Sequence, residues 1–127
     1  MKKSILVIGA GKIGAVVADL LAQASPAAGG AYEVTVADRD PALLAALGRE
    51  APDAPRHDTL RLDVADAAAL HAALRGRFAV LSAAPYHLTV RVAEAARNAG
   101  VHYLDLTEDV ASTRRVRELS QGAASAF

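Results

Sequence analysis

The stretch Ser4–Ile8 (SILVI) runs directly into Gly9–Gly14 (GAGKIG), and these residues decide the fold. A short, continuously apolar run rich in branched side chains is typical of a strand buried on both faces. After the glycines, apolar residues recur at helical spacing as far as Leu21, which predicts a helix to about Ala24. A strand, a glycine turn and a helix in this order predict the start of a β-α-β unit.

The rest of the chain repeats this alternation. Apolar runs predict four further strands, at Tyr32–Ala37, Thr59–Val64, Phe78–Ala83 and Val101–Leu106. Helices are predicted after Asp40-Pro41, from Asp66 to Leu74, from Pro85 to Ala99, and from about Thr107-Glu108-Asp109 to Ser120, with loops at Ser25–Ala31 and Ala51–Asp58. Alternating strands and helices demand a parallel sheet covered on both faces. We therefore predict a Rossmann-type doubly wound α/β sheet with strand order 3-2-1-4-5, the third strand lying near an edge.

Composition excludes several function classes. The 127 residues suffice for one domain, and Lys+Arg and Asp+Glu both number 14, which argues against binding nucleic acid through a basic face. The absence of cysteine excludes disulfides, thiolate metal sites and a cysteine nucleophile in this sequence. The four histidines lack metal-ligand spacing, and no apolar window approaches the roughly 20 residues of a membrane span. We expect a cytoplasmic domain with no metal, nucleic-acid or membrane partner.

The glycine turn has the G-x-G-x-x-G spacing of a dinucleotide-binding loop. Gly9 permits a tight turn, Gly11 allows a pyrophosphate to approach the backbone, and Gly14 lets the helix pack closely. Free N–H groups around Lys12 and Ile13 would meet the phosphates at the positive end of the helix dipole. Glycine turns also arise for purely structural reasons, but the position between a strand and a helix favours dinucleotide binding.

Asp38 directly follows the second predicted strand, 24 residues after Gly14. An acidic residue about 20 residues past the turn accepts the adenosine ribose hydroxyls, which favours NAD. Arg39 leaves NADP possible, because a guanidinium can receive a 2′-phosphate. The alternatives are that Asp38 only caps a turn and that Arg39 is a solvated charge.

Two further strand ends belong to the same crevice, since ligands bind outside the carboxyl ends of the strands. Asp63 and Val64 are candidates for an adenine contact, although Asp63 could equally cap the next helix. Ala83, Ala84 and Pro85 form a small, kinked turn suited to the nicotinamide ribose, although an ordinary strand-to-helix turn would look the same.

Three segments carry a resemblance to a known family: MKKSILVIGAGKIG at 1–14, AAPYH at 83–87 and VHYLDLTEDV at 101–110. They resemble the dinucleotide-binding domain of the saccharopine dehydrogenase family. The resemblance implies NAD(P)-dependent reduction of an imine, or oxidation of a C–N bond, in a small amino-acid-type substrate. It matches the residues above to the cofactor site and places Tyr86 and Thr107 toward the substrate.

The resemblance leaves the substrate itself undetermined, because the expected substrate-binding residues lie further along the family's sequences. We expect residues 1–127 to form a single NAD(P)-binding domain, the N-terminal part of a longer enzyme, and a homo-oligomer is one option for the assembly of that enzyme. A nucleotide-sensing module without a substrate domain is the alternative. A short-chain reductase is disfavoured, because neither Tyr86 nor Tyr103 has a lysine four residues later.

Overall fold

Five parallel strands form one sheet in the computed structural model, which describes residues 3–23, 32–47, 58–106 and 109–127. In chain order the strands are β1 (Lys3–Ile8), β2 (Tyr32–Asp38), β3 (Asp58–Arg61), β4 (Ala79–Ser82) and β5 (His102–Asp105). They lie side by side as β3-β2-β1-β4-β5, every neighbouring pair parallel. The predicted order 3-2-1-4-5 is confirmed, with the third strand at an edge.

Helices follow the strands in alternation. They are α1 (Lys12–Gln23), α2 (Pro41–Ala46), α3 (Ala67–Leu74), α4 (Thr89–Ala99) and α5 (Val110–Ser120). An aspartate caps each of three helices by accepting a backbone N–H of the first turn: Asp40 at α2, Asp66 at α3 and Asp109 at α5. The side-chain oxygen satisfies a donor that the helix itself leaves unpaired.

Successive residues of β1 point to opposite faces of the sheet. Leu6 and Ile8 pack into a core that also contains residues of α3, α4 and α5. Ile5 and Val7 pack into a second core with residues of α1, and two partly buried leucines, one in α2 and one at its C-cap, pack against that core. This alternation follows from the two-residue period of a strand. It confirms that helices cover both faces and explains why β1 reads as an unbroken apolar run.

The third strand is shorter than predicted, because it ends at Arg61 rather than Val64. Its neighbour β2 ends at Asp38, whose carbonyl accepts the Leu62 N–H at 3.0 Å. Because β2 ends there, β3 has no further residue of β2 with which to pair. Asp63 then turns the chain toward α3 by accepting the Ala65 N–H.

The fourth helix begins at Thr89 rather than at Pro85. Pro85 has an extended ψ of 146° and precedes a single 3-10 turn, Tyr86–Leu88. The ψ value takes Pro85 out of the helical region, so the α-helix starts only after that turn.

Smaller differences affect the last two strands. The strand β4 stops at Ser82 instead of Ala83, and β5 ends at Asp105 instead of Leu106. The predicted loop Ser25–Ala31, residues 51–57 of the second loop, and Thr107 lie outside the described residues. Among the helices that are described, none is long and apolar enough to cross a membrane.

Arg77 joins three elements at the end of the sheet where the parallel strands begin. One guanidinium nitrogen, Nη1, donates to Ser4 Oγ on β1 at 3.0 Å and to Thr35 Oγ1 on β2 at 2.8 Å. Its Nε donates to the carbonyl of Ala73 on α3 at 3.0 Å. Because Arg77 is partly buried, these charged hydrogen bonds hold β1, β2 and α3 together more strongly than a solvated arginine would.

We expect Arg77→Met to lower the free energy of unfolding by about 2 kcal/mol, since it leaves the Thr35 hydroxyl without its donor in a buried position. Arg75 is exposed and serves as the matched control, where the same change should cost less than about 0.5 kcal/mol. Urea denaturation of the parent and both variants measures the difference. Equal stability of the two variants would contradict the role assigned to Arg77.

Candidate functional site

The candidate site lies at the carboxyl ends of β1 and β4. These strands are neighbours in the sheet, yet the helix that follows β1 contributes to one core and the helix that follows β4 contributes to the other. The connections therefore diverge and leave a crevice between them, which is where open α/β sheets bind ligands.

Gly9 forms the floor of the turn after β1. Its φ of 109° lies in a region that residues with a Cβ rarely adopt. A Cβ added there would also meet the Ala83 carbonyl oxygen at 2.9 Å. The Gly9 N–H donates to the Ala37 carbonyl at 2.8 Å, so the turn is fixed between β2 and the end of β4.

Gly14 and Gly11 face different surroundings. A Cβ added to Gly14 would overlap the Gly9 carbonyl, so Gly14 allows the first turn of α1 to pack directly on the glycine turn. A Cβ on Gly11 meets no described atom within 4 Å, and Gly11 and Lys12 are both exposed. The backbone at Gly11 therefore borders open space at the start of a helix, where unpaired N–H groups attract anions.

Asp38 is held by two backbone amides. Its Oδ2 accepts the Ala10 N–H and its Oδ1 accepts the Asp40 N–H, both at 2.8 Å. Asp38 therefore does cap a turn, and it links the glycine turn to the end of β2. Each carboxylate oxygen retains a further lone pair for a ligand hydroxyl. Arg39 beside it is exposed.

Asp63 and Val64 differ in their surroundings. Asp63 is exposed, and its Oδ1 accepts the Ala65 N–H at 2.9 Å, so its carboxylate shapes the turn before α3. Val64 is 6% exposed and packs in the core with Leu62. The Val64 side chain thus offers a ligand little surface, and the adenine contact stays a prediction.

A cavity of about 500 Å³ opens in the crevice beside the glycine turn. It brings together four residues predicted from the sequence, Ile13, Ala83, Ala84 and Tyr86, and four that were not: Ser82, Thr89, Leu106 and Asp109. Pro85 bends the chain between two of these lining residues.

The lining residues differ in depth. Ser82 and Thr89 are 3% and 1% exposed, whereas Ile13 and Tyr86 are 63% and 62% exposed and lie at the rim. Sequence reasoning could have found Ser82, because it lies at the carboxyl end of β4, one of the two strands whose following helices cover opposite faces of the sheet. Nothing in the local pattern marks Thr89, because its place depends on how α4 begins.

Two carboxylates lie at this end of the sheet. Hydrogen bonds from the Ser112 side chain and N–H lower the pKa of Asp109, which keeps a negative charge at the cavity. Asp105 accepts the Tyr103 hydroxyl at 2.8 Å, and burial, followed by the effect of this carboxylate, raises the pKa of Tyr103. Among the described residues, no three His, Asp or Glu side chains gather as a metal site.

A family model matches almost the whole chain. Residues 5–126 match the model described as the saccharopine dehydrogenase NADP binding domain. The resemblance drawn from the sequence is thereby confirmed. No curated protein matches at the level of sequence.

Solved structures share the fold. Saccharopine dehydrogenase (L-Glu forming) from Saccharomyces cerevisiae is 28% identical over 94% of this chain and 24% of its own, with a TM-score of 0.74. The WlbA dehydrogenase from Bordetella pertussis, solved with NADH and UDP-GlcNAcA, is 18% identical over 98% of this chain and 36% of its own, with a TM-score of 0.72. Triphenylmethane reductase from Citrobacter sp., solved with NADP(H), is 20% identical over 91% of this chain and 45% of its own, with a TM-score of 0.67. The chain thus spans from about a quarter to less than half the length of these proteins.

We expect Gly11→Val to abolish dinucleotide binding while the domain stays folded. The valine would fill the open space beside the turn, where we expect the pyrophosphate to approach, and its Cβ would meet no described atom within 4 Å. Gly14→Ala is the contrasting variant. Its Cβ overlaps the Gly9 carbonyl, so it should destabilise the fold itself. Calorimetric titration with NADH and circular dichroism measure the two effects, and unchanged affinity in Gly11→Val would refute the assignment of the turn.

Proposed function

The chain belongs to the family of saccharopine dehydrogenase NADP-binding domains, and we propose that it is the cofactor-binding part of an oxidoreductase acting on the C–N bond of an amino-acid-type substrate. The observation that carries this proposal is the glycine turn packed beside a cavity at the carboxyl ends of β1 and β4, where the chain connections diverge. The likeness to saccharopine dehydrogenase supports the C–N chemistry.

In this proposal Gly11 and the first N–H groups of α1 would hold the pyrophosphate. Asp38 would accept the hydroxyls of the adenosine ribose, and its carboxylate already contacts the glycine turn through the Ala10 N–H. Ile13, Ala83 and Ala84, which line the cavity, would hold the nicotinamide ring. When bound, the nicotinamide supplies a hydride acceptor or donor, and the protein supplies its position and its exclusion from water.

Charge at the cavity supports a substrate that carries an amine. Asp109 lines the cavity, and its lowered pKa keeps it ionised. An ionised carboxylate attracts a protonated amine and repels a free carboxylate. Tyr86 lies at the exposed rim, where we propose that it faces the substrate as the resemblance implies. Thr107, the other predicted substrate-facing residue, lies outside the described residues and remains a prediction.

We further propose that the substrate-anchoring residues belong to sequence outside this domain. The described lining offers small and apolar side chains, two buried alcohols, a tyrosine and one carboxylate. Catalysis on an amino acid needs a group that holds the substrate and a proton donor or acceptor with an orienting partner. The family and the fold fit a single dinucleotide-binding domain whose partner domain completes the site.

For the cofactor we propose that NAD binds better than NADP, although the family description names NADP. Asp38 is fixed by two amide hydrogen bonds, so its negative charge stays where a 2′-phosphate would lie. Arg39 is exposed and must order its flexible side chain to neutralise that phosphate, at an entropic cost of up to ~2 kcal/mol.

We expect the parent chain to bind NADH about tenfold more tightly than NADPH. Asp38→Asn removes the charge and also gives up one of the two accepted backbone N–H bonds, because an amide has only one oxygen. It should weaken NADH binding more than NADPH binding and so narrow or invert this preference. Arg39→Ala should weaken NADPH binding and leave NADH binding almost unchanged. Fluorescence titrations at one fixed salt concentration test all three proteins, and tighter NADPH binding by the parent would overturn the NAD preference.

We expect the purified 127-residue chain to bind the dinucleotide without turning over saccharopine or lysine, because the proposed substrate-anchoring residues lie elsewhere. Absorbance of NADH over time, with either substrate in excess, measures this. Steady reduction of NAD⁺ by the chain alone would show that its own residues complete a catalytic site.

A further inference from the structure

The hydroxyl of Ser82 is buried without a hydrogen-bond partner in the described part of the structure. Ser82 is 3% exposed and is the last residue of β4. It lies opposite Ile8 of β1 on one side and Asp105 of β5 on the other. Asp105 accepts the Tyr103 hydroxyl, and the structure pairs no acceptor with Ser82.

An unpaired buried hydroxyl needs an explanation, because it has lost water without gaining a protein partner. Alanine at this position would fill nearly the same space and avoid that cost. Ser82 therefore either serves a group from outside the chain or leaves an uncompensated cost in the fold.

The location favours a use. Ser82 lines the cavity beside the glycine turn, at the point where β1 and β4 diverge. Rotation about its χ1 angle costs no hydrogen bond, since none is made. One of its staggered rotamers can therefore serve a group that enters the cavity. The small side chains of Ala83 and Ala84 leave room beside it.

Two other polar residues of the cavity, Asp109 and Tyr86, differ from Ser82. Asp109 is already hydrogen-bonded to Ser112 as the cap of α5, and Tyr86 is largely exposed at the rim. Ile13 and Leu106 contribute apolar side chains that are more than half exposed. A flat apolar ring with one polar substituent suits this arrangement, with the ring against the apolar side chains and the substituent reaching the floor.

We propose that Ser82 is a positioning residue that hydrogen-bonds the carboxamide of the nicotinamide ring and so sets which face of the ring meets the substrate. The inference rests on the dinucleotide binding proposed above. A serine hydroxyl can donate to the amide oxygen or accept from the amide nitrogen, so either orientation of the carboxamide is served. The bond supplies the partner that the Ser82 hydroxyl does not find among the described residues.

The test compares Ser82→Ala with Ser125→Ala. Ser125 carries the other buried hydroxyl without a partner among the described residues, but it lies in the C-terminal segment and does not line the cavity. We expect Ser82→Ala to weaken NADH binding about threefold to tenfold, the net value of one hydrogen bond. Its affinity for ADP-ribose, which lacks the nicotinamide, should stay unchanged. Ser125→Ala should bind both probes as the parent does.

Thermal unfolding supplies a second measurement. Without ligand, both variants should unfold at the parent's temperature or higher, because each loses an unpaired buried hydroxyl. With saturating NADH, the parent should gain more in unfolding temperature than Ser82→Ala, since tighter binding stabilises the folded state more.

Equal weakening of NADH and ADP-ribose binding in Ser82→Ala would overturn the proposal, because the residue would then act on the fold of the site. Unchanged NADH affinity in that variant would overturn it as well. If the parent bound neither probe, the proposed function itself would fail. If the parent bound both and Ser82→Ala bound both equally well, only the role of Ser82 would fail.

Discussion

The close approach of α1 to the glycine turn is the constraint on which the site depends. Gly14 lies against the carbonyl of Gly9, and Gly9 in turn lies against the carbonyl of Ala83 at the end of β4. Neither contact leaves room for a Cβ. The start of α1 is thereby held at the carboxyl end of the central strand β1, beside the first residues after β4. The position of the helix N-terminus relative to the cavity follows from these two contacts.

The crevice forms because different helices cover the two faces of the sheet. Side chains of β1 alternate between two cores, each covered by different helices. The chain leaves β1 toward one face and leaves β4 toward the other, so a gap stays open between their ends in the described part of the chain. At the opposite end of the sheet, Arg77 joins β1, β2 and α3. Hydrogen bonds of Arg77 therefore join the elements at the amino ends of the strands, whereas a cavity opens at the carboxyl ends.

Asp38 combines a structural role with its proposed part in recognition. Two backbone amides orient its carboxylate and tie the glycine turn to β2. The same bonds hold its charge in place, which is why a nearby 2′-phosphate would meet repulsion rather than a side chain that moves away. Capping a turn and binding a ribose were alternatives for this residue in the sequence. The two backbone hydrogen bonds show that Asp38 caps a turn, and its remaining lone pairs are available to the hydroxyls of a ribose.

The sequence by itself determined the order of the elements, the sheet topology and the turn that begins the site. The elements and the turn follow from local periodicity and glycine spacing, and the strand order follows from the rules for connecting parallel strands. Only the tertiary structure decided that Val64 turns into the core, that Ser82 lies unpaired on the cavity floor, and that Thr89 and Asp109 join it there. The reason is physical: burial and hydrogen-bond pairing depend on which distant segments become neighbours, and no local pattern carries that information.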